Sequence, residues 1–232
     1  RFTYLIVPQI AVSDRGFDSI AIDTPTPIDR VESVAVNGVL LGESEWTAAI
    51  ESTEFVVRVP VLDGGDTGEL IEIVFHAQIF DFGTSFQGRV FNSDTPWEVA
   101  QYLEPGDADF LADSNSLTVE LSDVGSDVLS DIELSTGVLT PNGDGVNDMV
   151  EVGFQLVNLS TAVPPTLQVF DLSGTPVAEV PVERSGSGPN KASWNGTAHG
   201  QDILAPGIYL IRLEVETDEE TFSATRAISL AY

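Results

Sequence analysis

The sequence predicts an all-β protein built as two tandem β sandwiches, and three observations carry that prediction. Short alternating or β-branched runs recur along the whole chain, Gly, Pro, Asn and Asp punctuate them at intervals of roughly 8 to 12 residues, and helical periodicity is nearly absent. At 232 residues the chain has room for two domains of ordinary size.

The runs are Phe2 to Val7, Ile20 to Ile22, Val31 to Val36, Phe55 to Val61, Leu70 to Phe80, Leu117 to Leu121, Val150 to Leu156, Leu167 to Leu172, Tyr209 to Val215 and Ala224 to Leu230. Asn37-Gly38 between Val36 and Val39 predicts a tight hairpin with positive φ at both turn residues. Asp63 to Asp66, lying between two long alternating runs, reads as the loop of a second hairpin. The best helical stretch is Pro96 to Leu103, where proline follows Asp94 and Thr95 as an N-terminal signal. From Leu121 to Glu133 the pattern loosens into Asp, Ser and Val, which places a domain boundary near Thr136 and divides the chain into residues 1–135 and 136–232.

The charge balance excludes whole classes of partner. Nine Lys and Arg stand against 37 Asp and Glu, a formal net charge of -28, and Lys191 is the single lysine. Such a surface repels nucleic acid and anionic lipid, and it is best tolerated where salt or divalent cations screen its self-repulsion, as in a saline habitat. Cysteine is absent, which removes disulfides, thiolate metal sites and cysteine nucleophiles together. No stretch has the apolar length of a transmembrane helix, so membrane insertion is not expected, and the first residues lack the pattern of a signal peptide, as in a mature or trimmed chain.

Thr140-Pro141-Asn142-Gly143-Asp144-Gly145-Val146-Asn147-Asp148 is the most informative segment. It gathers the side-chain oxygens of Asn142, Asp144, Asn147 and Asp148 around glycines that let the backbone wrap tightly, the donor set that a hard cation such as calcium takes. The loop is not an EF-hand, because no Glu closes it and its flanks are strands. The same residues equally make an Asx-type turn, in which the side chains bond their own backbone.

That loop, with the strand from Val150, Leu167 to Val177 around Asp171-Leu172-Ser173-Gly174, Trp194-Asn195-Gly196 and Pro206-Gly207-Ile208-Tyr209-Leu210, resembles the C-terminal immunoglobulin-like domains of the gliding-motility and type IX secretion (CHU_C, type B) class. It is also similar to the related domain of the flagellar hook-capping protein. The resemblance covers about residues 136 to 232 and implies a seven-stranded sandwich serving export, anchoring or assembly of a secreted or cell-surface protein. Asn195 follows Trp194 where the family more often has an acidic residue, and the final strand lacks the basic residues often seen near the end of sorting domains. Within this frame the Asp171 to Pro176 turn uses Gly174 for positive φ, Trp194 covers one end of the core beside Gly196, and Pro206-Gly207 feeds a last hairpin, Tyr209 to Val215 and Phe222 to Leu230.

For residues 1–135 the aromatics Phe80, Phe82, Phe86, Phe91 and Trp97 read chiefly as core, and exposed members would instead mark a ligand surface. The apolar strand Phe2 to Val7 reads as the first strand of its own sandwich; the alternative, completing a neighbouring subunit's sheet, would make a filament subunit. Catalysis is not expected. His76 and His199 are the only histidines, and no nucleophile elbow, phosphate-binding loop or zinc-protease helix is present. Paired carboxylates of a glycosidase arise by chance among so many acids. The sequence therefore points to a non-enzymatic extracellular structural protein, a cell-surface or filament subunit made of two immunoglobulin-like sandwiches, with calcium as the cofactor its loop would take. Its partners would be further copies or other surface proteins. The competing class is a surface binding module for a polysaccharide or a protein, and a third is a hook-capping-like assembly factor.

Overall fold

The computed structural model describes residues 1–25, 28–106, 108, 115–121, 128–159, 164–183, 186–199, 202–218 and 220–232. The protein is nearly all β and divides into two compact units. The first comprises Arg1–Ile79 and Gly83–Leu121, the second Phe80–Phe82 and Ser122–Tyr232.

The strands of the first unit are β1 (Phe2–Ile6), β2 (Phe17–Asp23), β3 (Ile28–Val36), β4 (Val39–Leu40), β5 (Thr47–Ile50), β6 (Glu54–Leu62), β7 (Ile71–Ala77), β8 (Gly83–Ser85), β9 (Gly88–Phe91), β10 (Gln101–Tyr102) and β11 (Thr118–Glu120). They form a four-stranded sheet in the order β1-β7-β3-β4, a five-stranded sheet in the order β10-β9-β2-β6-β5 and a small β8–β11 pair. Ile20 and Ile22 of β2, Phe55 and Val57 of β6 and Ile71, Ile73 and Phe75 of β7 meet in the core, with Phe86 edge-on to Phe75 at 5.4 Å between ring centroids.

The Asn37-Gly38 hairpin forms as expected: Val36 faces Val39, with φ of 50° and 73° at the two turn residues. The second expected hairpin does not form. β6 pairs with β2 and β5, and β7 with β1 and β3, so the Asp63 loop carries the chain from one sheet to the other. At the crossing itself Asp63 and Asp66 close a reciprocal capping box on a single 3-10 turn. A Cβ at Gly64 would lie 2.8 Å from Val12 Cα, which leaves that sharp turn no room for a side chain. The helix expected at Pro96 to Leu103 is also absent. Thr95 accepts one turn bond from the Glu98 N–H at 2.9 Å, then the chain extends and β10 pairs with β9. One capped turn does not offset the cost of nucleating a helix when a sheet edge offers the same backbone groups partners.

β1 lies in its own sheet, Phe2 opposite Phe75 and Ile6 opposite Ile71. Its Tyr4 sits over Gly88, where a Cβ would come within 2.7 Å of both the Tyr4 hydroxyl and Leu103 Cδ1. Burial pushes that phenol up to about 12.

The second unit contains β12 (Leu129–Leu134), β13 (Val138–Leu139), β14 (Val150–Leu156), β15 (Thr166–Phe170), β16 (Pro176–Val180), β17 (Gly188–Trp194), β18 (Gly207–Glu216) and β19 (Thr221–Leu230). A three-stranded sheet, β12-β14-β17, and a five-stranded sheet, β13-β19-β18-β15-β16, supply the two layers. Period-2 alternation builds the core directly, since Val150, Val152, Phe154 and Leu156 of β14 and Tyr209, Ile211, Leu213 and Val215 of β18 all point inward. The final hairpin is in register from Gly207 opposite Leu230 to Glu216 opposite Thr221. β12 precedes the boundary suggested near Thr136 and is nevertheless hydrogen-bonded to β14 in this unit. A register shift between Ser130 and Glu133 breaks its alternation, which is why the sequence there looks like a linker.

Candidate functional site

The Thr140–Asp148 loop joins β13 to β14 and is closed by its own side chains. Asp148 receives the Gly143 N–H on Oδ1 and the Gly145 N–H on Oδ2, both at 2.7 Å. Asp144 accepts the Val146 N–H at 2.8 Å and the Asn142 amide at 3.2 Å, while Asn142 Oδ1 accepts the Asp144 N–H at 2.9 Å. Asn147 stands at φ 52°, and its carbonyl accepts the Thr140 N–H at 2.8 Å. Gly143 and Gly145, at φ 81° and 85°, turn these N–H groups inward. The two backbone bonds hold the Asp148 carboxyl below its ordinary range. All four residues singled out in the sequence are thus brought together, with the oxygens of Asn142, Asp144 and Asp148 facing the loop's own donors. Among the described residues no group of three or more His, Cys, Asp or Glu side chains gathers as a metal centre.

The other motif residues of this unit shape its ends. Asp171 Oδ1 accepts from Ser173 N, Ser173 Oγ and Thr175 N at 2.6 to 2.9 Å, with Gly174 at φ 84° completing the turn. The Ser173 hydroxyl and the backbone donors lower the Asp171 carboxyl. Trp194 is buried, donates to the Thr197 carbonyl at 3.0 Å and lies edge-on to Tyr209. Gly196, at φ 81°, leaves space where a Cβ would press Leu230 and Leu139 at 3.0 and 3.2 Å. These contacts are architectural.

The aromatics grouped together in the sequence separate in the structure. Phe82, which belongs to the second unit, is exposed, while in the first unit Phe86 is core and Trp97 is 73% exposed. Val99 and Tyr102, which the sequence did not single out, are 91% and 65% exposed on the same stretch. Its base is fixed: Asp18 accepts from Ser93 N and Ser93 Oγ at 2.8 and 2.5 Å, and the Asn92 amide donates to the Gly16 carbonyl at 3.2 Å. Thr95 is buried and its hydroxyl donates to Glu98 at 3.1 Å. The signal for this display in the sequence is Trp97, Val99 and Tyr102 standing between the acids Asp94, Glu98 and Glu104.

His76 Nε2 meets Glu32 at 2.5 Å and Arg30 at 3.2 Å, and Glu32 also accepts from Arg1 at 3.1 Å. Those two partners, Arg1 foremost, hold the Glu32 carboxyl at about 2. His199 caps a turn through its backbone N–H to Val177 at 3.2 Å. No helix among the described residues is long and apolar enough to cross a membrane.

With this geometry in place, residues 132–227 match the model of the CHU_C Type IX secretion signal domain. The match bears out the secretion resemblance and does not extend to the hook-capping one. It indicates export to the extracellular space or the cell surface. No curated protein matches the sequence. Among solved structures the chain is similar to dimeric latent PorU from Porphyromonas gingivalis, at 12% identity and a TM-score of 0.37, over 98% of this chain and 20% of that one. It is also similar to a DUF4785 family protein from Legionella pneumophila, at 9% identity and a TM-score of 0.28, over 98% of this chain and 56% of that one. A third is a β-glucuronidase from Parabacteroides merdae, at 15% identity and a TM-score of 0.29, over 98% of this chain and 27% of that one. The chain therefore spans between 20% and 56% of the length of these structures.

Proposed function

We propose that this surface-exported protein is non-enzymatic and that its two units divide the work, the second directing export and attachment and the first presenting an interaction surface. The observation that carries the reading is the pairing of a secretion-signal match over residues 132–227 with a first unit whose fixed Asn92–Glu104 stretch displays Trp97, Val99 and Tyr102. Loops held on a rigid sandwich are where surface proteins place their contacts, because the sheets supply stability that the loop need not. A filament subunit is the second reading, supported by the outer strands β1, β4, β5 and β10 at the ends of their sheet orders. The home pairing of β1 weighs against one version of it, in which that strand would be lent to a neighbour.

Export is tested by expressing the full chain and a version ending at Leu121 in a bacterium with type IX secretion. The full chain should become accessible to added protease on intact cells and the truncated one should not; equal exposure of both would remove the sorting role. Electron microscopy of the purified protein, in calcium and in chelator, separates the two readings, since dispersed particles are expected for display and regular fibres for a filament.

A further inference from the structure

We propose that the Asp94–Glu104 stretch of the first unit is a docking surface for a positively charged, extended segment of another protein. This names the partner of the surface proposed above and rests on that reading.

Single exposed apolar residues are ordinary on any protein surface. Here Trp97, Val99 and Tyr102 lie within six residues, are 73%, 91% and 65% exposed, and stand on a base fixed by Asp18, Asn92 and Thr95. A partner would therefore meet them already in place, with little ordering cost. Tyr102 belongs to β10, the end strand of its sheet, so among the described residues one edge of that strand faces no other strand of the sheet. That edge offers backbone groups to an extended chain.

Charge selects the partner. The exposed carboxylates of Asp94, Glu98 and Glu104 flank the three apolar residues; Arg15 meets Glu98 only at 3.9 Å, and Arg89, cross-strand from Tyr102, is already engaged by Asp23 and Glu54. The whole chain carries -28, so the long-range field draws cations and repels nucleic acid, anionic lipid and acidic glycans. The rings of Trp97 and Tyr102 accept guanidinium or ammonium groups on their faces, the carboxylates pair with them, and Val99 meets their methylene stems. A neutral glycan would stack on the rings and leave the charge unanswered.

The test uses the purified full chain and a synthetic peptide of about ten alternating Arg and Val residues, with binding followed by calorimetry and by tryptophan emission. Trp97 is 73% exposed, whereas Trp46 is half-buried against the core and Trp194 is buried, so Trp97 should dominate the emission change. Trp97→Ala with Tyr102→Ala leaves the net charge untouched and should weaken binding about tenfold, the scale on which aromatic contacts act. Val99→Lys, at a position too exposed to affect folding, should do the same. Glu98→Gln with Glu104→Gln should weaken binding and flatten its salt dependence more than the same change at Glu179 and Glu216. Unchanged affinity in the aromatic variant would show diffuse attraction to an acidic surface and overturn the proposal. A shift of the emission by a neutral oligosaccharide but not by the peptide would overturn it in favour of a glycan. Binding is read on purified protein and export in cells, so failure of one leaves the other standing.

Discussion

The two units have related architectures and opposite legibility. In the second, β14 and β18 alternate strictly, each inward residue separated by one outward residue, because each strand has one face on the core and one in solvent. In the first, Ile20, Ala21 and Ile22 of β2 and Ile73, Val74 and Phe75 of β7 are buried in succession, because these inner strands are covered on both faces. A half-exposed strand writes its orientation into the sequence, whereas a fully covered one reads only as an apolar run.

Core truncation should produce the largest effects and should show both units equally well packed. Ile22→Ala in the first and Ile211→Ala in the second, at 0% and 2% exposure, should each cost about 2–5 kcal/mol in urea unfolding. A cost below about 1 kcal/mol at Ile22 alone would mean that the first unit is packed more loosely than its burial suggests.

Glycines sharpen the comparison. Gly16 has φ 71° and lies where a Cβ would meet the Leu62 carbonyl at 2.0 Å, while Gly174 has φ 84° and open space around it. Gly174→Ala should cost about 1 kcal/mol, the conformational term alone. Gly16→Ala should cost clearly more, because β6 must also move. Equal losses would show that the Leu62 backbone yields freely.

Loop chemistry comes next. Asp148→Ala removes the acceptor of the Gly143 and Gly145 N–H groups and should lower the Tm in calcium and in chelator alike. A loss confined to calcium would assign the loop to an ion. The smallest effect is expected at the first unit's surface. The folded Glu32 carboxyl, at about 2, lies below its ordinary 4.5, so its ion cluster stabilises fully above that ordinary value. The contribution should disappear as pH falls from 4.5 toward 2, and Glu32→Gln should flatten the Tm profile across that window. An unchanged profile would mean that the cluster with Arg1 and His76 adds nothing in solution.

Much of the candidate site could be read before any coordinates. The Asn142–Asp148 turn, the Gly174 turn and the Trp194-Gly196 corner were all legible, because each is a local device whose residues bond within a few positions of themselves. The exposed stretch was not: Trp97 looked like core, since nothing in a linear sequence says whether a ring beside Pro96 turns inward or out.

The sequence by itself determined the β class, the turns at Asn37, Asn142 and Gly174 and the secretion resemblance, all of which depend on side-chain period, glycine conformation or motif order. Only the tertiary structure decided that the Asp63 loop crosses between sheets, that β12 joins the second unit through a bulged pairing, and that Trp97, Val99 and Tyr102 face solvent. Those outcomes depend on which distant strand offers the free hydrogen-bonding edge and which distant surface offers cover. Neither quantity has a local signature.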